Sequence, residues 1–327
     1  MPKVLKARNK IVPTQSLPSV SLFFKETWML YQKVAVPFIL LSLIQLVVFF
    51  VVLLGLGVGA LLIGLALGLG GSVSKLQNSG FMSIDQMMPL IGGVAATVGI
   101  FSVVFLAAIN YLSSSFQASL ILLTAKYKGK ISMGEVLNQG FKRVVPVFVL
   151  SVIMFILIFG GLLLFIIPGL VMGILMSFAV FEVVLENRKP LAAIKSSISM
   201  VSQNFWSIVG RLVLISFATL GMYLLLGIVQ SIFSEAIGGL VNIVFNIALM
   251  PLGLVFMTVL YQHTKAASEL RPVSMIWMWC ISLVGLIIGV SLSILIAQPL
   301  SKAFEAIRST DTAAVQYWKS ASQDKIY

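Results

Sequence analysis

Long unbroken apolar runs alternate with short polar connections along the chain. They span 34–70, 88–125, 144–167, 169–186, 206–232, 240–262 and 274–298. Each reaches the ~17–25 residues a helix needs to cross a hydrocarbon core. Continuous rather than alternating apolarity predicts helices and not barrel strands, and helices satisfy their own backbone in lipid. The expected fold is therefore all-α: a polytopic transmembrane bundle of six core spans and a seventh, C-terminal span. The first two runs exceed the bilayer. A straight helix over 34–70 would reach about 55 Å, so it must tilt, break or project. Gly64 and Gly68 in it form a small-xxx-small pair that allows close helix approach.

The polar connections divide by charge. The segment up to Lys33 carries Lys3, Lys6, Arg8, Lys10, Lys25 and Lys33, and 126–143 carries Lys126, Lys128, Lys130, Lys142 and Arg143. Arg188, Lys189, Lys195 and Arg211 follow around the next connection, then Lys265 and Arg271. The alternate connections are poor in cations, with Lys75 alone in 71–87 and none at 233–239. This asymmetry predicts a cytoplasmic N-terminus in a cell membrane, and seven spans then place the C-terminus outside. The basic start, broken by Pro13 and Pro18, lacks the early apolar core of a cleavable signal. It is expected to stay attached and cytoplasmic.

The connections are not plain loops. Pro190 can open a helix, and Leu191, Ile194, Ile198, Val201 and Phe205 recur at steps of three and four. Lys195, Ser196, Ser199, Ser202 and Gln203 fall on other faces. The period predicts an amphipathic interfacial helix over 190–204 that ends at Phe205-Trp206, a pair suited to headgroup depth. The alternative is a short solvated helix packed beneath the bundle. Similar segments precede the third span, where Ser132 and Glu135 have capping-box spacing before Val136, Phe141 and Val144, and the first span. The order suggests three loose repeats of interfacial helix, span out and span back. They run over 20–127, 128–187 and 188–272, after a basic tail at 1–19 and before an extra span at 273–298 and a C-terminal tail at 299–327.

Composition sharpens the class. Of 327 residues 59% are hydrophobic and 10% charged, beyond the ~45–50% apolar content of soluble domains. The net charge of +12 fits cationic loops facing anionic headgroups. It does not point to nucleic acid, because no basic cluster is interleaved with aromatics. The lone Cys280 cannot build a disulfide framework within one chain and is expected to be lipid-facing or packed. The lone His263 argues against a zinc site or a histidine-based triad, and no cofactor is expected.

Within that frame the candidate chemistry is sparse. Glu182 and Glu186 share a helix face, and Arg211 lies about a turn into the following span. Charged groups at membrane depth are costly and often functional. The expectation is a structural ion pair between Glu186 and Arg211, with Glu182, Asn242, Asn246 and Gln230 as candidates for a polar or solute site. Interhelical hydrogen bonding is the plainer use of the amides, and Asn110 and Gln45 could pair in the same way in the first hairpin.

The stretch "IIPGLVMGILMSFAVFEVVLENRKPLAAIKSSISMVSQNFWSIVGRLVL" resembles the membrane-domain family found beside glycerophosphodiester phosphodiesterases and related stand-alone membrane proteins. Pro168-Gly169 at the outer turn, Glu186, Ala192 to Ser197 and Asn204-Phe205-Trp206 carry the likeness. It is good over about 140–265 and implies a six-helix core, from which the seventh span departs. The phosphodiesterase activity of such proteins would belong to a separate soluble barrel, for which this chain has no room. The first functional expectation is therefore a non-enzymatic membrane protein that organises lipids or partner proteins at the cytoplasmic face. The second is a transporter or lipid translocator with a polar cavity.

Overall fold

The computed structural model describes residues 17–66, 84–126, 132–295 and 299. Gly68, Lys75, most of both tails and 127–131 lie outside the described residues. Among those described there are helices and no strand: α1 (Val20–Ala66), α2 (Ile84–Lys126), α3 (Met133–Phe141), α4 (Val144–Leu164), α5 (Ile166–Leu175), α6 (Ala179–Glu186), α7 (Pro190–Gln203), α8 (Phe205–Ile232), α9 (Glu235–Ala267) and α10 (Ile276–Leu295). Seven spans are long and apolar enough to cross a membrane, with α5 and α6 together forming the fourth. The protein is an all-α, polytopic membrane protein.

Two expectations change at this level. The interfacial helix before the first span is not separate: α1 runs unbroken for 47 residues with Pro37 inside it, about 70 Å at 1.5 Å per residue. Nothing between Val20 and Pro37 is a helix-stop residue, so the two segments fuse. Before the third and fifth spans the preceding helix does stand alone. Ser132 caps α3, its Oγ accepting from the Glu135 N–H at 3.2 Å, and α7 ends at Asn204 before α8 begins. Pro168-Gly169 is not the outer turn. Phe165 alone separates α4 from α5, and Pro168 falls in the first turn of α5, where its missing N–H is no loss.

The chain forms two compact units, Met1–Val152 with Leu175–Val273, and Ile153–Ile174 with Ser274–Tyr327. In the first, α1 packs against α2 and α9, α2 against α3, α6 against α7, and α8 against α9. Its core includes Phe23, Phe116, Phe178, Phe181, Phe256 and Tyr261. Tyr31 donates to the Ala248 carbonyl at 2.9 Å, beside the backbone that Pro251 loosens in α9.

In the second unit the seventh span is held by small residues. Ser282 donates to the Leu157 carbonyl at 2.8 Å. A Cβ on Gly285 would collide with the Gly160 carbonyl oxygen, and one on Gly160 would come within 2.5 Å of the Ser282 carbonyl. Only residues without bulk allow backbones this close in lipid. Thus α10 is packed on α4 within its unit.

Candidate functional site

The fourth span is interrupted. Between α5 and α6 the backbone turns at 176–178, which frees groups that a continuous helix would pair. Ser197 of α7 bridges the gap. Its hydroxyl donates to the Leu175 carbonyl at 2.8 Å and accepts from the Phe178 N–H at 3.1 Å. A short side chain that both donates and accepts suits a break in apolar surroundings.

One turn beyond the break stands Glu182, wholly buried. Its carboxylate accepts from the Ser196 hydroxyl at 2.8 Å and the Tyr261 hydroxyl at 2.7 Å. Arg188 Nε lies 2.7 Å from Oε2, and Lys265 Nζ lies 3.8 Å from Oε1. Lys265 also donates to the Tyr261 hydroxyl at 3.2 Å. The chain can place Arg188 there because Asn187 ends α6 in the left-handed conformation (φ 55°), which asparagine tolerates. The backbone then folds back, and the Arg188 N–H reaches the Glu182 carbonyl at 3.3 Å. Arg143 donates to the Val183 carbonyl at 3.2 Å and to the Asn187 side chain. Carboxylate, cations and hydroxyls thus tie the end of α6 to α7 and α9. A buried charge is tolerable when it is paired and hydrogen-bonded in this way.

The expected Glu186–Arg211 pair is not formed. Glu186 is half-exposed and pairs with Lys265 at 2.5 Å. Arg211 is buried and donates to Ser207 and to the Pro18 carbonyl. Glu186 follows α6 toward α9, and the start of α1 occupies the guanidinium.

The segment expected to be interfacial is helical over Pro190–Gln203, as the period predicts, but it is buried on more than one face. Ile194, Ile198 and Val201 are buried, and so are Ser196, Ser197 and Ser199. The serines are hydrogen-bonded inside, Ser199 accepting from the Arg271 N–H at 2.7 Å, so they do not form a solvated face. Leu191, expected to point inward, is 48% exposed. It lies in the first turn, before the helix passes beneath its neighbours. Lys195 is exposed, Phe205 half-buried, and Trp206 81% exposed.

The amide candidates do not join Glu182. Asn246 accepts from the Tyr223 hydroxyl at 2.8 Å and donates to the Asn242 side chain at 2.6 Å. It borders an open groove of about 470 Å³ with Ile215, Thr219 and Met250. Gln230 donates to the Gly238 carbonyl at 3.3 Å and shares a second groove with Asn242. Fifteen residues of α9, roughly 22 Å of helix, separate Asn246 from Tyr261. Asn110, expected to pair with Gln45, accepts instead from Ser151 at 2.8 Å and from Ser114 at 3.4 Å. Cys280 is exposed.

Sequence reasoning missed Tyr261, Lys265 and Ser196 as partners of Glu182. One signal was present: Tyr261 and Lys265 lie four apart on one helix face, a polar pair at the basic end of an apolar span. The Glu182 carboxylate itself is closed off from solvent, while its cationic partners Arg188 and Lys265 keep about a third of their side-chain surface exposed. No protein-family model matches the chain, and no curated protein or solved structure matches it.

Proposed function

We propose that this is a non-catalytic membrane protein whose basic end faces the cytoplasm and organises anionic lipids or partner proteins there. The observation that supports this reading is the use made of Glu182: its bonds go to holding α7 in place. The helix thereby becomes a fixed element that displays Lys195 and Leu191, flanked by exposed Lys189 and Trp206. Basic residues beside an aromatic suit anionic headgroups. The likeness of 166–214 to membrane domains that accompany phosphodiesterases supports the same reading, because it transfers architecture and not catalysis. The charge asymmetry supports an N-terminus inside and a C-terminus outside.

The test uses full-length protein in detergent micelles, titrated with phosphatidylglycerol or phosphatidylcholine while thermal melting is followed. Phosphatidylglycerol should raise the melting temperature more, and Lys189→Gln with Lys195→Gln should shrink the difference. An equal response to both lipids would overturn lipid organisation. A collapsed ion gradient across sealed proteoliposomes would replace the proposal with a transport role. Single cysteines at 190 and 268 should label from the cytoplasm and one at 236 from outside; the reverse would overturn the orientation.

A further inference from the structure

Arg211 is only 7% exposed, six residues into α8 and so roughly 9 Å along it. Its Nη2 donates to the Pro18 carbonyl at 2.7 Å and its Nη1 to the Ser207 carbonyl at 3.0 Å and the Ser207 hydroxyl. The guanidinium lies 5.8 Å from the centre of the Phe23 ring. Its Nε is buried without an acceptor. Among the described residues no carboxylate comes within 4.0 Å of it. A buried cation without a countercharge is strongly unfavourable. Carbonyl oxygens and an aromatic face supply only partial negative charge.

The surroundings increase that imbalance. Pro18 lies two residues before α1 begins, so the guanidinium stands at the N-terminus of a 47-residue helix. The first N–H groups of a helix lack intrahelical acceptors, and that end carries roughly half a positive charge. Two positive groups are thus held together. Ser19 and Ser21, with hydroxyls 3.3 Å apart, are exposed at this helix start, and Ser207 is exposed against the guanidinium. The segment 1–16 that leads to this point contains Lys3, Lys6, Arg8 and Lys10 and no Asp or Glu.

We propose that Arg211 and the N-terminus of α1 form a phosphate site, filled by the headgroup phosphate of an anionic phospholipid. Orphan N–H groups at a helix start and an arginine fork are the donors that phosphate takes. Exposed Trp206 and Trp28 favour a lipid source over a free ion, because tryptophan at a span end marks headgroup depth. The inference rests on the lipid-organising reading above and adds a specific site to it.

Full-length protein in nanodiscs of mixed phosphatidylglycerol and phosphatidylcholine tests it, with retained lipid read by native mass spectrometry. Wild type should keep phosphatidylglycerol preferentially. Arg211→Gln should lower that preference at least about tenfold, the scale of losing a buried charged hydrogen bond. Arg211→Lys, which keeps the charge but loses the fork, should fall between. The wild-type preference and the lysine variant need no charge removal, so they stay readable if Arg211→Gln does not fold. Unchanged retention in both variants, with loss in Lys189→Gln/Lys195→Gln, would overturn this site and leave the broader reading standing. No anionic preference in wild type would overturn both. Stabilisation by inorganic phosphate equal to that by phosphatidylglycerol, at matched concentration in micelles, would overturn the lipid source.

Discussion

Glu182 on α6 and Arg211 on α8 are both nearly out of reach of solvent, yet their surroundings differ. Glu182 has a cation on each carboxylate oxygen and two hydroxyls. Arg211 has two carbonyls, a hydroxyl and a phenyl ring, and two of its five N–H groups are left over, the one on Nε being buried. The first charge is complete within the chain and locks three helices. The second is incomplete among the described residues and marks the place where an outside group fits. A buried charge is therefore informative through its partners, and burial alone does not say whether it serves structure or binding.

Removing the complete charge should do the most damage. Glu182→Ala leaves Arg188 without its acid and should cost about 3–5 kcal/mol, read as loss of melting temperature in micelles. Arg211→Met, in micelles free of anionic lipid, should cost far less, about 1 kcal/mol or nothing, because an apolar group of similar length replaces an unpaired charge. Equal losses in the two variants would erase the contrast between the sites.

The neighbouring break supplies the next test. Ser197→Ala strands one donor and one acceptor of the α5–α6 break and should cost about 2 kcal/mol. The α7 segment should also exchange its amide hydrogens faster. A loss of stability without faster exchange in α7 would mean that Glu182 alone secures the helix. In the second unit Gly285→Leu should cost about 1–3 kcal/mol by overpacking and expose 276–295 to protease, while the Glu182 cluster stays protected. Joint loss of protection in both places would show that the two are one cooperative structure. The smallest effect belongs to Glu186→Gln. Its pair with Lys265 is half in solvent and should contribute about 0–1 kcal/mol. A loss as large as that of Glu182→Ala would place the lock one turn further along α6 than the burial of Glu182 indicates.

The amphipathic stretch shows how far residues could be read before the fold was known. Its helical state and the inward turn of Ile194, Ile198 and Val201 follow from their spacing. Its serines read as polar surface, because a serine's partner is a tertiary fact. Ser196 meets a carboxylate from another helix, and Ser197 meets a break that hydropathy hides under an unbroken apolar run.

The number of the spans is determined by the sequence itself, because transfer into lipid depends on local apolar content summed over one helix length. The all-α class follows from the same local fact. Pairing was decided only by the tertiary structure. Glu186 found Lys265 and not Arg211, Glu182 found Tyr261 and Arg188, and α10 found the small residues around Gly160. Charge and hydrogen-bonding capacity can be read at a single position. Which of several eligible partners is met depends on where distant helices cross, and that geometry is set by packing across residues 79 apart in the case of Glu182 and Tyr261.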